Sequence, residues 1–110
     1  LQEVMGAVGY PEVFAVANLR RYLNKAVAAA SQKQLTGKDR LPEDRGWDAQ
    51  LFRVFQYWAW CWVRPVSSSW STFAPDWSFG EFIDGEAGPA TWAALQEALN
   101  RSKTGSFRLM

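Results

Sequence analysis

The segment at residues 48–63 is DAQLFRVFQYWAWCWV. Its large apolar residues recur at steps of three and four, which places them on one side of a helix: Leu51, Phe55, Trp58 and Trp62. Asp48 is a suitable N-cap, and Pro65 follows the expected end of the helix. Apolar residues surround this predicted helix on nearly every side, so we expect it at the centre of the fold.

The same segment also contains a pattern that favours a strand. Trp58, Trp60 and Trp62 alternate with smaller residues, and aromatic residues are common in strands. The length of the segment and the lack of a second clear strand to pair with it decide in favour of a helix. Six of the seven tryptophans lie between Trp47 and Trp77, so this part of the chain should supply much of the core.

Further helices are predicted on both sides of the central one. The predicted helices span residues 11–32, 48–63, 78–84 and 89–102. Pro11 and Pro89 suit first helical positions, and Ser78 with Glu81 matches a capping box. We therefore predict an all-α fold, a small irregular orthogonal bundle of three main helices plus one short helix. It should form a single domain over residues 1–110.

The balance of charge argues against a nucleic-acid partner. The net charge is +1, from 12 basic and 11 acidic residues, whereas nucleic-acid-binding domains usually show a basic excess. The densest basic group is Arg20, Arg21 and Lys25, which we expect on the solvated side of the first helix. A weakly basic nucleic-acid-binding module built on this group is kept as an alternative. Residues 32–47 are charged and contain Gly and Pro, which predicts a solvated connection.

Residue types that carry chemistry are scarce. The chain has no histidine, which excludes Ser-His-Asp and Cys-His arrangements and imidazole metal sites. The single cysteine, Cys61, lies between two tryptophans, and we expect it to be a small buried hydrophobe. Asp84 and Glu86 fit a turn better than a site for a hard cation. We accordingly predict no catalysis, no metal and no cofactor.

Localisation is predicted from the cysteine content and the apolar runs. A single cysteine cannot form a disulfide within the chain, which favours a reducing compartment. The longest apolar run, residues 54–63, is about half of the ~20 residues that a membrane span needs. No basic region followed by an apolar core is recognisable near the start of the sequence. We expect a cytoplasmic protein without a membrane span.

The segment at residues 64–77, RPVSSSWSTFAPDW, is where a functional interpretation competes with a structural one. Its serines and prolines argue against regular structure and favour a place near the surface. Trp70, Phe73 and Trp77 in such a segment suit a docking surface, because Trp is enriched at binding hot spots. The structural alternative is that these side chains fold inward and cap the bundle.

Our leading hypothesis is a non-catalytic protein-interaction domain that docks another protein, or itself, through an aromatic surface. The candidate partner-binding residues are Trp70, Phe73, Trp77, Trp60, Tyr57 and Arg64. Arg64, Asp76 and Glu81 would orient the partner.

The second hypothesis is a small-ligand-binding or enzyme domain. Its apolar pocket would lie between the Trp-rich helix and the aromatic loop. Such a pocket would need a polar group such as Asp48 or Glu81 pointing into it.

Overall fold

The computed structural model describes residues 12–74 and 77–103, with side chains over 16–74 and 77–99. Within these ranges the chain forms helices and no strand, which confirms the predicted all-α bundle. The helices are α1 (Glu12–Ala26), α2 (Ala29–Thr36), α3 (Ala49–Trp62), α4 (Trp70–Phe73), α5 (Phe79–Phe82) and α6 (Pro89–Lys103).

Helix α3 lies at the centre, as its apolar sequence predicts. Its first turn is capped by Asp48, whose carboxylate accepts a hydrogen bond of 2.9 Å from the Leu51 N–H. The helix packs against α1, α2, α5 and α6. Its buried side is formed by six residues: Leu51, Val54, Phe55, Gln56, Trp58 and Ala59. A helix that is apolar on most of its circumference must be covered on several sides, and these four neighbouring helices do this.

Helices α1 and α3 are joined by an aromatic contact. The rings of Tyr22 and Trp58 meet edge to face with their centroids 5.5 Å apart. Burial raises the pKa of the Tyr22 hydroxyl, and a hydrogen bond with the Trp58 side chain partly offsets this effect. The contact therefore combines apolar packing with a hydrogen bond for the Trp58 indole.

The prediction of one continuous helix over residues 11–32 is wrong after Ala26. Ala28 is extended, with φ −59° and ψ 145°, and α2 then continues to Thr36. No Gly or Pro marks the break. The side-chain amide of the buried Gln32 donates a hydrogen bond of 3.2 Å to the Val27 carbonyl, near the end of α1. The packing of α2 against α3 thus outweighs the helix preference of the alanines around the break.

Arg20 is buried, although the sequence analysis expected it on the solvated side of the helix. Its guanidinium donates one hydrogen bond of 3.0 Å to the Pro42 carbonyl and another to the Gly46 carbonyl. It also pairs with the Asp48 carboxylate at 3.2 Å. Since Val16 lies four positions earlier on the buried side of α1, position 20 belongs to the same stripe. Arg20 therefore fastens the connection before α3.

Asn24 holds the same connection at a second point. Its side-chain amide donates to the Leu41 carbonyl and its oxygen accepts from the Leu41 N–H, both at 2.8 Å. Leu41 itself is buried in the core. The solvated connection predicted over residues 32–47 is therefore wrong for residues 32–36, which belong to α2. Residues 37–48 form no helix, and the buried Arg20 and half-buried Asn24 of α1 fix their course.

Replacing Arg20 should destabilise the fold far more than replacing its neighbour. Arg20→Leu leaves the Pro42 and Gly46 carbonyls without their donor and removes the partner of Asp48, which should cost about 3 kcal/mol. Arg21→Leu is the matched control, because Arg21 is exposed and its salt bridge to Glu43 should contribute less than about 1 kcal/mol. Urea denaturation measures both changes. Equal losses from the two variants would contradict the structural role of Arg20.

Candidate functional site

A network of seven aromatic rings extends from the second half of α3 across α4 and α5. Trp60 is its hub, with ring-centroid distances of 6.2 Å to Trp70, 5.9 Å to Phe79 and 6.1 Å to Phe82. Tyr57, one turn earlier on α3, also meets Phe79, at 6.1 Å. Phe73 contacts Trp70, and Trp77 contacts Phe82. Because each ring contacts at least one other ring of the network, the seven rings form one continuous aromatic cluster.

Two rings of this network form its buried floor. Trp70 is 6% exposed and Phe82 is 1% exposed, and their ring centroids are 4.8 Å apart. The sequence analysis placed Trp70 on the docking surface, but the structure places its side chain in the core. Trp70 can therefore support a surface from below and cannot itself bury much further area against a partner.

The other five rings form the accessible layer, which we call the aromatic strip: Tyr57, Trp60, Phe73, Trp77 and Phe79. Phe79 is 45% exposed and Trp77 is 40% exposed, while the other three are half-buried. Four of the six predicted site residues are thus accessible rings of one network, and Arg64 lies beside them. Large exposed aromatic side chains at the edge of a packed cluster are typical of docking surfaces.

Phe79 is the strip residue that the sequence analysis did not assign to the site. The sequence pattern predicts Phe79 on the apolar side of a short helix, together with Phe82. In a four-residue helix only Phe82 reaches the core, and Phe79 packs sideways against Tyr57 and Trp60. Positions three apart lie on the same face of a helix, so the sequence does not distinguish Phe79 from Phe82, and the difference in their burial comes from the contacts of α5 with α3.

Arg64 lies over the strip at the C-terminal end of α3. Its guanidinium carbon is 4.4 Å from the centroid of the Trp60 ring, and its Nε donates a hydrogen bond of 3.1 Å to the Trp60 carbonyl. The stacking is a cation–π contact that holds an exposed positive charge against the aromatic surface. Asp76, predicted as a second orienting charge, lies outside the described residues.

An acidic turn is fixed by the buried Gln56 of α3, which precedes Arg64 by eight positions and Trp60 by four. The Gln56 amide donates hydrogen bonds of 3.0 Å to the Asp84 carboxylate and 2.8 Å to the Thr91 hydroxyl. Its oxygen accepts one of 2.9 Å from the Gly85 N–H. Gly85 has φ +77°, and a Cβ there would lie 2.9 Å from Nε of Arg53. The turn therefore needs glycine, and Asp84 serves it as a hydrogen-bond acceptor.

The short helix α5 carries a capping box, as the sequence predicts. The Ser78 hydroxyl accepts a hydrogen bond of 3.3 Å from the Glu81 N–H, and the Glu81 carboxylate accepts one of 2.9 Å from the Ser78 N–H. These hydrogen bonds, chiefly the one from the Ser78 backbone, lower the pKa of the exposed Glu81. Glu81 thereby helps to position the adjacent Phe79.

The last turn of α3 differs from the prediction for Cys61. Cys61 is exposed rather than buried, and Trp62 beside it is 60% exposed. Of residues 61–66, Val63 alone is buried, so this end of the helix projects beyond the core. In the described part of the chain no ring contact joins Trp62 to the strip, so Trp62 lies outside it.

The polar residues that the other two hypotheses need have structural roles. Asp48 caps α3 and pairs with Arg20, and Glu81 caps α5. In the basic group of α1, Arg20 is buried and Arg21 pairs with Glu43. Lys25 is exposed and forms no salt bridge with the described residues.

No cluster of three or more Cys, Asp or Glu side chains in residues 12–74 and 77–103 could hold a metal ion. No helix over the same residues has both the length and the apolar character to cross a membrane.

Comparison with known proteins gives no match to a family model, to a curated protein sequence or to a solved structure. The chemistry of this chain therefore has to be inferred from its own side chains.

The stabilising effect of Glu81 should depend on pH. A carboxyl group whose folded-state pKa is lowered adds stability above the unfolded-state pKa of about 4.3, and this is lost as the pH falls through the lowered pKa. Glu81→Gln keeps a capping-box side chain but cannot ionise. Wild type should be more stable than Glu81→Gln at pH 7, and the difference should shrink towards pH 3. Urea denaturation at several pH values measures it, and a difference that stays constant would contradict the prediction.

Proposed function

We propose that the chain is a non-catalytic protein-interaction domain that docks its partner through the aromatic strip. The observation that carries this proposal is the partial exposure of Phe79 and Trp77, at 45% and 40%, on top of a buried aromatic floor. Rings held in this way have lost most of their freedom before binding, so a partner need not immobilise them. The remaining apolar area is available to be desolvated by a partner surface.

The strip contains the residue types that contribute most to binding energy in protein interfaces. Interface centres are rich in Trp, Tyr, Phe and Arg, and these residues dominate alanine scans. The strip combines these residue types, because Arg64 lies against Trp60 at its edge. The aromatic rings would supply affinity, and the charges at the rim would orient the partner.

The small-ligand hypothesis is supported less well. The space between α3 and the aromatic loop is occupied by ring contacts of Trp60 with Trp70 and Phe82. The polar groups that such a pocket would use, Asp48 and Glu81, cap helices. We therefore retain the interaction domain as the proposed function.

A cytoplasmic location belongs to the same proposal. The Cys61 thiol is exposed, and a reducing compartment would keep it from forming disulfides between chains. Experiments on association should accordingly include a reductant or use Cys61→Ser.

The proposed function is tested by removing one ring at a time. Trp77→Ala and Phe79→Ala should each weaken binding by about 2 kcal/mol, because each removes exposed aromatic area at the docking surface. Binding is measured as capture of proteins from an extract of the source organism by the immobilised chain, and as self-association in sedimentation equilibrium. Urea denaturation confirms that each variant is folded.

Trp62→Ala is the matched control, since Trp62 is more exposed than either strip residue and lies outside the strip. It should leave both measurements nearly unchanged. The proposal would be refuted if folded Trp77→Ala and Phe79→Ala bind as wild type does, or if Trp62→Ala alone abolishes binding.

A further inference from the structure

Opposite charges lie at the two ends of the aromatic strip. At one end the exposed guanidinium of Arg64 lies over Trp60. At the other end the turn that Gln56 fixes carries the exposed side chains of Asp84 and Glu86. Arg64 and Gln56 are eight positions apart, which corresponds to roughly 12 Å along a helix axis.

These charges are not neutralised within the described part of the chain. Its salt bridges involve Arg20, Arg21 and Arg40, and none of them includes Arg64, Asp84 or Glu86. Arg53 lies beside Gly85 at the acidic end. Its single positive charge is smaller than the two negative charges of Asp84 and Glu86, so the net charge of this end is negative. The Arg64 end of the strip is therefore positive. The turn is negative, and the exposed Glu81 of α5, which directly precedes the turn in the chain, adds a third carboxylate.

We propose that the partner docked on the aromatic strip is a second copy of this chain, related by a two-fold axis. A surface with opposite charges at its two ends is complementary to itself when a second copy lies antiparallel to it. The axis would pass near Trp60 and Phe79, whose rings would pack against those of the second copy. Arg64 of each copy would then face the Asp84 and Glu86 turn of the other.

The same geometry disfavours a parallel arrangement of two copies. That arrangement would bring Arg64 against Arg64 and Glu86 against Glu86, and like charges in contact disfavour association strongly. The aromatic rings provide the apolar area buried in the dimer interface, and the charges select the antiparallel orientation of the two copies. The dimer should be reversible and depend on protein concentration.

This inference rests on the proposed function, and a charge-exchange experiment separates the two. Sedimentation equilibrium of the full chain as Cys61→Ser, from about 1 μM to about 500 μM, should show a monomer–dimer equilibrium. Arg64→Glu and Glu86→Arg should each raise the dissociation constant by about a hundredfold, because the two-fold axis places every changed charge in two contacts. The Glu86 side chain is a suitable site for change, since only its backbone carbonyl and N–H bond to the rest of the turn.

The decisive sample is an equimolar mixture of the two variants. When Arg64→Glu pairs with Glu86→Arg, the two substituted side chains face each other at one contact, with their charges exchanged. The unchanged Glu86 of the first variant faces the unchanged Arg64 of the second at the other contact, so dimers should form again. The double variant carrying both changes should also regain self-association. Lys33→Glu, which changes an exposed charge on α2 by the same amount as Arg64→Glu, should dimerise as wild type does.

Each result has a definite consequence. Restored association in the mixture supports the antiparallel dimer, because a folding defect in either variant would not be repaired by mixing. A wild-type chain that stays monomeric at about 500 μM, or a dimer that both single variants leave intact, overturns the inference. If the chain is monomeric but Trp77→Ala and Phe79→Ala still reduce capture of another protein, the proposed function stands and the partner is a different protein.

Discussion

Helix α3 is apolar around most of its circumference and has to be covered on several sides. It buries Leu51, Phe55 and Trp58 among other residues, and α1, α2, α5 and α6 pack against it. Two of the elements around it, α4 and α5, are single turns of four residues. One turn buries little area, so the cover is thinnest where these elements lie. The accessible rings of Trp60 and Phe79 lie at that place, which connects the candidate site directly to the packing of the core.

Buried and half-buried polar side chains decide where the irregular covering segments lie. Arg20 and Asn24 bind the backbone before α3, and Gln56 binds the turn between α5 and α6. Each of them satisfies backbone groups that have no partner in a regular helix, which is the usual requirement for irregular chain that packs on a core. Buried Nε of Arg20 and Oε1 of Gln32 have no hydrogen-bond partner in the described part of the chain. These networks therefore cost some stability while they select one course for the chain.

The sequence predicted α3, the Asp48 cap and the Ser78–Glu81 capping box, because each depends on residues close together in the chain. It failed where distant contacts decide. The break after Ala26 follows from the packing of α2 on α3, and the burial of Arg20 follows from carbonyls more than twenty positions away. For the same reason, the sequence predicted only part of the candidate site. Aromatic residues in the loop could be recognised, but which of Trp70 and Trp77 faces inward depends on α5 and its ring contacts.

The two ends of the strip are fixed by different means, and this difference matters for recognition. The acidic end is attached to the core, because Gln56 is fully buried and makes hydrogen bonds to Asp84 and Gly85. The basic end is held by the stacking of Arg64 on Trp60 and by a single hydrogen bond at the exposed end of α3. A rigid end presents its charge without further ordering, whereas a long exposed side chain can adjust its reach. In the proposed dimer, each contact would pair one rigid and one adjustable group and so tolerate small errors in docking angle, while the aromatic rings between the contacts would limit how far the two surfaces can slide.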